Sequence, residues 1–491
     1  MLLWSPVFLF ACGEKLPDLE FPEADNRPSF HGSGGPWVDF EQQDLFEGCA
    51  FLDGTEEDRD HHNLVMPYRG HLVMPWAPEW GRGGLSFFDM LDPCAPERVG
   101  DSFSKWMRET HAIGFVHLDE SSPFAGDWAM VNGLLGVLSW DISDPTNIVE
   151  GAYLPLPDVF YPDAYARVTL SLFWQYPWLY VAGADNGVYV LDATDPMNPE
   201  LVSQYKFDPV LRAGGVWAMG NLLIVSTAEG KQTALLDISD PANPQPIPGG
   251  LFYNAESGGT PVEAYHANVA GDWVLYARKE GAGGLIVYDI SNPSEPYFVS
   301  ELVTGGNGGY VFYDEGVAFV GESNMARVID VSDIERPQLL GEGWMQGDLD
   351  TFTPIGNVAV MAVDDEAVAN QASVVMPWRE EVDEDGPKVL RIDPPNGATG
   401  VALTSRIGVG FNEVVDSSSV FAGSIRLYDD EGRGIDGWGS AQETIANYSP
   451  KVPLRPGVTY TIEVAQGGIV DSHGNPVEET VLSTFTTAGS E

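Results

Sequence analysis

Residues 187–202 read GVYVLDATDPMNPELV. Val188 to Leu191 form an unbroken apolar run, and Asp192 ends it. A turn containing Asp195, Pro196, Asn198 and Pro199 follows before Leu201 and Val202. This is the pattern of a strand running into a sharp turn. Asp accepts hydrogen bonds from its own turn, and Pro lacks the N–H that further pairing needs. A sheet wetted on one face alternates apolar and polar residues. A strand apolar at every position needs cover on both faces.

The phrase recurs. LSFFDMLDPCAP (85–96), VLSWDISDPTNI (137–148), VYVLDATDPMNP (188–199), TALLDISDPANP (233–244), LIVYDISNPSEP (285–296) and ARVIDVSDIERP (326–337) share one pattern. The leading aspartates are Asp89, Asp141, Asp192, Asp237, Asp289 and Asp330, spaced by 52, 51, 45, 52 and 41 residues. Self-similarity at such a period marks a propeller or solenoid. A second apolar run precedes each copy, as in WLYVAGA (178–184), and a short third run follows, as in PELVSQY (199–205). With one strand before the pair, this makes four antiparallel strands in about 45 residues, the content of a propeller blade. Val188 and Val190 then face one neighbouring blade, and Tyr189 and Leu191 the other. Six separate active sites are not credible, so the six aspartates are assigned to the turns.

A seventh unit, TFTPIGNVAVMAVDD (351–365) with ASVVMPW (372–378), lacks the Asp-Pro turn. A segment from the N-terminus is expected to supply its missing outer strand and remove the exposed edges. Across residues 60–378 the repeat resembles the LVIVD family, most closely in VYVLDATDP and LIVYDISNP. The resemblance implies a β-propeller in an exported bacterial protein, often with a lipoprotein signal and added Ig-like modules. It implies no particular activity.

Residues 379–387 form an acidic linker, and residues 388–488 read as short alternating strands. Pro394, Asn396-Gly397-Ala398, Val401, Phe411-Asn412-Glu413, Val415-Asp416 and Ser419 resemble the opening of a bacterial Ig-like domain of the S-layer type. LRPGVTYTIEV (454–464), GGIVDSHGNPV (467–477) and STFTT (483–487) resemble its end. Such modules serve as spacers or docking units. His473 lies in the polar turn Asp471–Asn475 and reads as a turn residue. The fold class is therefore all-β, a seven-bladed β-propeller followed by an Ig-like β-sandwich. Few contacts are expected to cross the linker.

The chain opens MLLWSPVFLFAC. Leu9, Ala11 and Cys12 resemble a lipoprotein signal, with residues 1–12 as the signal segment, Cys12 as the lipidated residue and 13–59 as an irregular extension. Cys49 and Cys94 then remain as a disulfide pair, as suits an exported protein. No other apolar stretch approaches the roughly 20 residues of a membrane span, so the membrane tie is expected to be an N-terminal lipid.

Lys plus Arg number 24 and Asp plus Glu 73, a net charge of −49. That balance excludes nucleic acid, whose phosphates need a basic footprint. The sequence contains no Gly-x-Ser-x-Gly elbow, no phosphate-binding Gly-Lys-Ser/Thr loop and no Cys-x-x-Cys. Of the eight His, His61, His62, His117 and His266 fall near predicted innermost strands, which line a propeller's channel. His117, His266 and Asp350 are the candidate ligands for a divalent metal, the one cofactor considered. The aromatics of MPWAPEW (74–80) read first as packing between sheets, with stacking on sugars or anchoring a protein partner at a rim as the alternative. No catalytic residue is assigned. The reading is an exported, lipid-anchored, monomeric protein of the bacterial cell envelope. Its propeller binds or scaffolds a cell-surface protein or glycan. A metal-dependent hydrolase or lyase and a carbohydrate-binding protein are the alternatives.

Overall fold

The computed structural model describes residues 19–52, 64–78, 82–161, 166–279, 282–365, 367 and 371–490. Cys12, His61, His62 and Trp80 lie outside the described residues. Seven four-stranded antiparallel blades follow one another along the chain, the second continuous with a larger sheet. Blades 1 to 6 span Met66–Ser104, Ile113–Pro155, Ser171–Tyr205, Ala213–Tyr253, Ala264–Leu302 and Gly308–Trp344. Blade 7 takes three strands from Asp348–Pro377 and its outer strand, Ala50–Leu52, from the N-terminal extension.

The quoted strand, Val188–Asp192, is buried on both faces. Val188 and Val190 pack with Val216, Ala218 and Leu223 of blade 4, and Tyr189 and Leu191 with Val116 and Met130 of blade 2. The same two-sided packing joins every neighbouring pair and closes the circle. Leu72, Met74 and Phe88 of blade 1 share a core with Val358, Val360 and Val375 of blade 7. Outer strands are the wettest of each blade, as the exposed Leu201 and Val202 show.

Each repeat aspartate accepts the backbone N–H two residues on, at 2.7–3.0 Å. The second Asp or Asn of the motif, at 92, 144, 195, 240, 292 and 333, does the same at 2.9–3.3 Å. The motif is thus two Asx turns in series, and its aspartates hold the turn between the third and fourth strands.

Cys49 and Cys94 form a disulfide. It ties the closing strand of blade 7 to the Asp-Pro turn of blade 1, so it spans the seam of the ring.

The C-terminal domain is a sandwich. One sheet runs Val389–Asp393, Ile407–Phe411, Ile445–Pro450 and Gly437–Gln442, and the other Ala398–Val401, Val481–Thr487, Thr459–Val464 and Ile425–Tyr428. Tyr460, Ile462 and Val464 point into its core. Its first sheet does not end within the domain. Ala441 pairs with Phe115 on the inner strand of blade 2, so the sheet runs on into the propeller.

Two outcomes test these devices. Asp192→Ala removes the acceptor for the Thr194 N–H and Oγ1 and is expected to lower stability by about 1–2 kcal/mol in urea melts. Cys94→Ser opens a link between residues 45 apart in sequence and is expected to cost about 2–4 kcal/mol, provided wild type is measured without reductant.

Candidate functional site at the channel mouth

The innermost strands all run the same way through the ring, so their starts line one mouth of the central channel and their ends the other. The Ig-like domain covers the mouth at the strand ends. Gln442 accepts from the Trp174 N–H at 3.2 Å and donates to the Leu172 carbonyl at 3.0 Å. Asn447 accepts from the Gly220 N–H at 2.8 Å and from Gln175 Nε2 at 2.9 Å, and donates to the Ala218 carbonyl at 2.9 Å. Arg406 Nε donates to Gln175 Oε1 at 2.6 Å. The backbones pack so closely that a Cβ on Gly408 would sit 2.2 Å from the Gly220 nitrogen.

These contacts overturn the expectation that little crosses the segment 379–387. The backbone polar groups at these inner-strand ends need partners once buried, and the Ig-like domain supplies them. Asp383, inside that segment, is itself buried and receives Asn475 Nδ2 on its carbonyl at 3.0 Å.

The hairpin joining Gly437–Gln442 to Ile445–Pro450 enters the channel. Its tip residue, Glu443, adopts φ 55° and is buried. Oε2 accepts from Trp217 Nε1 at 3.1 Å and Asn268 Nδ2 at 2.6 Å. Sequence reasoning missed this plug. The polar tip Gln442-Glu443-Thr444 without Gly or Asn was the available signal, since an exposed two-residue hairpin turn favours those residues.

Among the described residues nothing covers the other mouth. A cavity of about 200 Å³ is lined there by Glu109, Arg212, Glu229, Tyr265, Lys279, Asp348, Asp350 and Asp364, with Leu170 and Ala228. Lys279 Nζ lies 3.3 Å from Glu229 Oε1 and 4.5 Å above the Tyr265 ring. Arg212 Nε donates to Asp185 Oδ1 at 3.1 Å. Below the mouth, His111, Tyr265, His266 and Tyr310 wall a chamber of about 30 Å³. His111 Nε2 lies 3.1 Å from Glu109 Oε1. Burial pushes the Asp350 carboxyl up to about 7, with Lys279 opposing the shift and Asp348 adding to it.

The three candidate metal ligands do not converge. Asp350 and His266 lie near the starts of their strands, towards the open mouth. His117 lies near the end of Ile113–Leu118, at the covered mouth, where Nδ1 meets Asp127 Oδ1 at 2.7 Å. Asp127 also accepts from Tyr68 Oη at 2.8 Å and from the Arg69 guanidinium. His266 packs against Tyr310 at 4.4 Å and Trp217 at 5.3 Å, and burial lowers its pKa to about 3. Assigning residues to innermost strands does not fix their height in the channel, and height decides which groups meet. Trp76 of the aromatic stretch is buried within blade 1 rather than offered at a rim.

A propeller of four-stranded blades carrying a docked β-sandwich is the class this geometry defines. Residues 177–206 and 269–304 match the LVIVD repeat, and residues 383–487 match the bacterial Ig-like domain. The chain therefore carries LVIVD repeats and a C-terminal bacterial Ig-like domain, a module that points to an extracellular or surface protein. Comparison with curated proteins gives no match. Among solved structures the chain is similar to the computationally designed Ika8 protein, at 10% identity over 68% of this chain and 99% of that one, with a TM-score of 0.43. It is also similar to the β-propeller domain of Cps50 (Swd1) from Myceliophteria thermophila, at 10% identity over 66% and 99%, with a TM-score of 0.47.

The plug is expected to make the protein's stability pH-dependent. Burial pushes the Glu443 carboxyl up to about 7, against the pull of the Trp217 and Asn268 donors. A carboxyl raised in the folded state favours folding when protonated. Its contribution is therefore complete at low pH, declines from about 4.5 to about 7, and is flat above. Glu443→Gln keeps an acceptor for both donors. It is expected to stabilise the protein by about 1–3 kcal/mol at pH 8 and by much less at pH 4.5, read from urea melts at the two pH values. An equal effect at both would show that the carboxyl is not buried in the channel.

Proposed function

We propose that the protein is an exported, lipid-anchored bacterial surface protein whose propeller binds a partner at its open channel mouth without catalysing a reaction. The observation that carries this reading is the asymmetry of the channel. The Ig-like domain fills one mouth, and the other presents a solvent-open cavity walled by charged side chains from several blades. Concave sites with a few convergent polar groups are the usual seats of ligands. Five carboxylates, Glu109, Glu229, Asp348, Asp350 and Asp364, face two cations, Arg212 and Lys279, on a protein of net charge −49. The favoured partner is therefore a basic segment of a cell-surface protein, drawn in by charge complementarity. The lipid at Cys12 would hold the chain at the membrane while the mouth stays accessible.

The test is crosslinking on intact cells from a probe at the mouth, with wild type beside an Asp348→Lys/Asp364→Lys double variant. Wild type is expected to capture one reproducible partner, less so as salt screens the charges. The double variant is expected to lose it at least tenfold with an unchanged melting temperature. Equal capture by both proteins would refute the assignment.

A further inference from the structure

The junction of the two domains holds a second cluster of ionisable groups, remote from the open mouth. Asp383, Asp471 and His473 are all buried, and one ligand atom from each lies within 4.8 Å of the others. They come from the segment joining the domains and from an Ig-like loop. Asp314, at the end of blade 6's inner strand, and Glu413, just after the Ig-like strand Ile407–Phe411, are near enough to interact with them electrostatically. Asp314 is 6% exposed and Glu413 2%, and Asp314 Oδ2 and Glu413 Oε1 have no hydrogen-bond partner. Each feels the negative charge of Asp383 and Asp471.

The charges do not balance. Asp314, Glu315, Asp383, Asp471 and Glu413 are five carboxyl groups around one guanidinium, Arg379. Arg379 pairs with Glu315 at 2.7 Å and Asp383 at 2.9 Å. Buried charge without a counter-charge is costly, and two orphaned carboxylate oxygens add to the cost.

His473 is arranged as a ligand. Its Nε2 lies 2.9 Å from the Pro36 carbonyl, so that nitrogen is the donor. Burial holds the ring neutral, with a pKa near 4. Nδ1 then carries the lone pair, which accepts from the Ser472 hydroxyl at 3.2 Å, a donor that an incoming ion would displace. Metal-binding imidazoles are oriented in this way, by an N–H donated to a carbonyl. Asp471 Oδ1 accepts from the N–H groups of His473, Gly474 and Asn475 at 2.7–2.9 Å, which fixes the loop that presents both residues.

We propose that Asp383, Asp471 and His473, backed by Asp314 and Glu413, form a site for one divalent cation that accepts mixed nitrogen and oxygen donors, and that this ion fastens the Ig-like domain to the propeller. One imidazole among carboxylates suits Mn²⁺ or Zn²⁺ better than Mg²⁺ or Ca²⁺, which prefer oxygen alone. The ion would offset two of the surplus charges, and Asp314 and Glu413 would add to the negative field that holds it.

The test uses the full chain, stripped with a chelator and titrated separately with Mn²⁺, Zn²⁺, Ca²⁺ and Mg²⁺. Mn²⁺ or Zn²⁺ is expected to raise the melting temperature saturably with one ion bound per chain. Glu413→Gln is expected to have opposite effects on the two states. It relieves repulsion, so the stripped variant melts at or above wild type, yet it weakens cation binding at least tenfold. His473→Gln is expected to weaken Mn²⁺ or Zn²⁺ binding similarly. Absence of a bound ion in wild type overturns the proposal even if a variant fails to fold. A response to Ca²⁺ and Mg²⁺ alone, which leaves the imidazole outside the site, also overturns it, as does binding unchanged in both variants.

Discussion

The structure depends on blades that are apolar on both faces. A sheet such as that of blade 3 cannot end a stack, because either face left open would wet Val188 and Val190 or Tyr189 and Leu191. The ring must therefore close. Closure falls to the weakest unit, blade 7, whose sequence has lost the Asp-Pro turn and cannot complete its own sheet. The strand Ala50–Leu52 completes it, and the Cys49–Cys94 disulfide fastens that strand to the turn of blade 1. The disulfide thus adds a second covalent link at the seam where the first and last blades meet. Links of this kind act mainly on the unfolded chain, by limiting how far the joined segments separate.

Closing the ring creates a channel, and the channel raises a second problem. Backbone groups at the inner-strand ends, such as the Gly220 N–H and the Ala218 and Leu172 carbonyls, lose water once a domain covers them. Asn447 and Gln442 answer them by side-chain mimicry of a sheet edge. These buried amides are matched to those backbone groups, so polar satisfaction helps to specify the docked geometry alongside apolar contact. The Ig-like module is consequently part of the propeller's architecture and not a spacer on a free hinge. Its plug leaves the molecule with one usable mouth.

The fold was legible because its periodicities are local. The Asp192-x-x-Asp195-Pro196 phrase needs only neighbours two residues away, and the two-sided apolar run states its burial without reference to a partner. The docked interface was not legible. Glu443 lies in an ordinary hairpin, and the residues that receive it, Trp217 and Asn268, lie 226 and 175 residues away. His117, His266 and Asp350 fell on innermost strands as read, but at heights set by strand register, which the repeat does not encode for irregular blades. Conversely, His473 read as a turn residue because its loop does form a tight turn. What the sequence could not show is the buried company that loop keeps.

That company bears on how so acidic a chain stays folded. On the surface, negative charges spread in water and are screened over about 10 Å. At the domain junction screening is weak, and Asp314, Asp383, Asp471 and Glu413 are held among one another, with Arg379 as the counter-charge of Asp383 and Asp314. Protons are one remedy, and the upward shifts of these groups express it. A proton neutralises each carboxyl singly and leaves the geometry loose. A single divalent ion neutralises two charges and fixes several oxygens at once, and it acts between the joining segment and a loop of the Ig-like domain. For a fold whose open mouth is defined by what closes the other, a fastener at that junction would govern the shape of both ends.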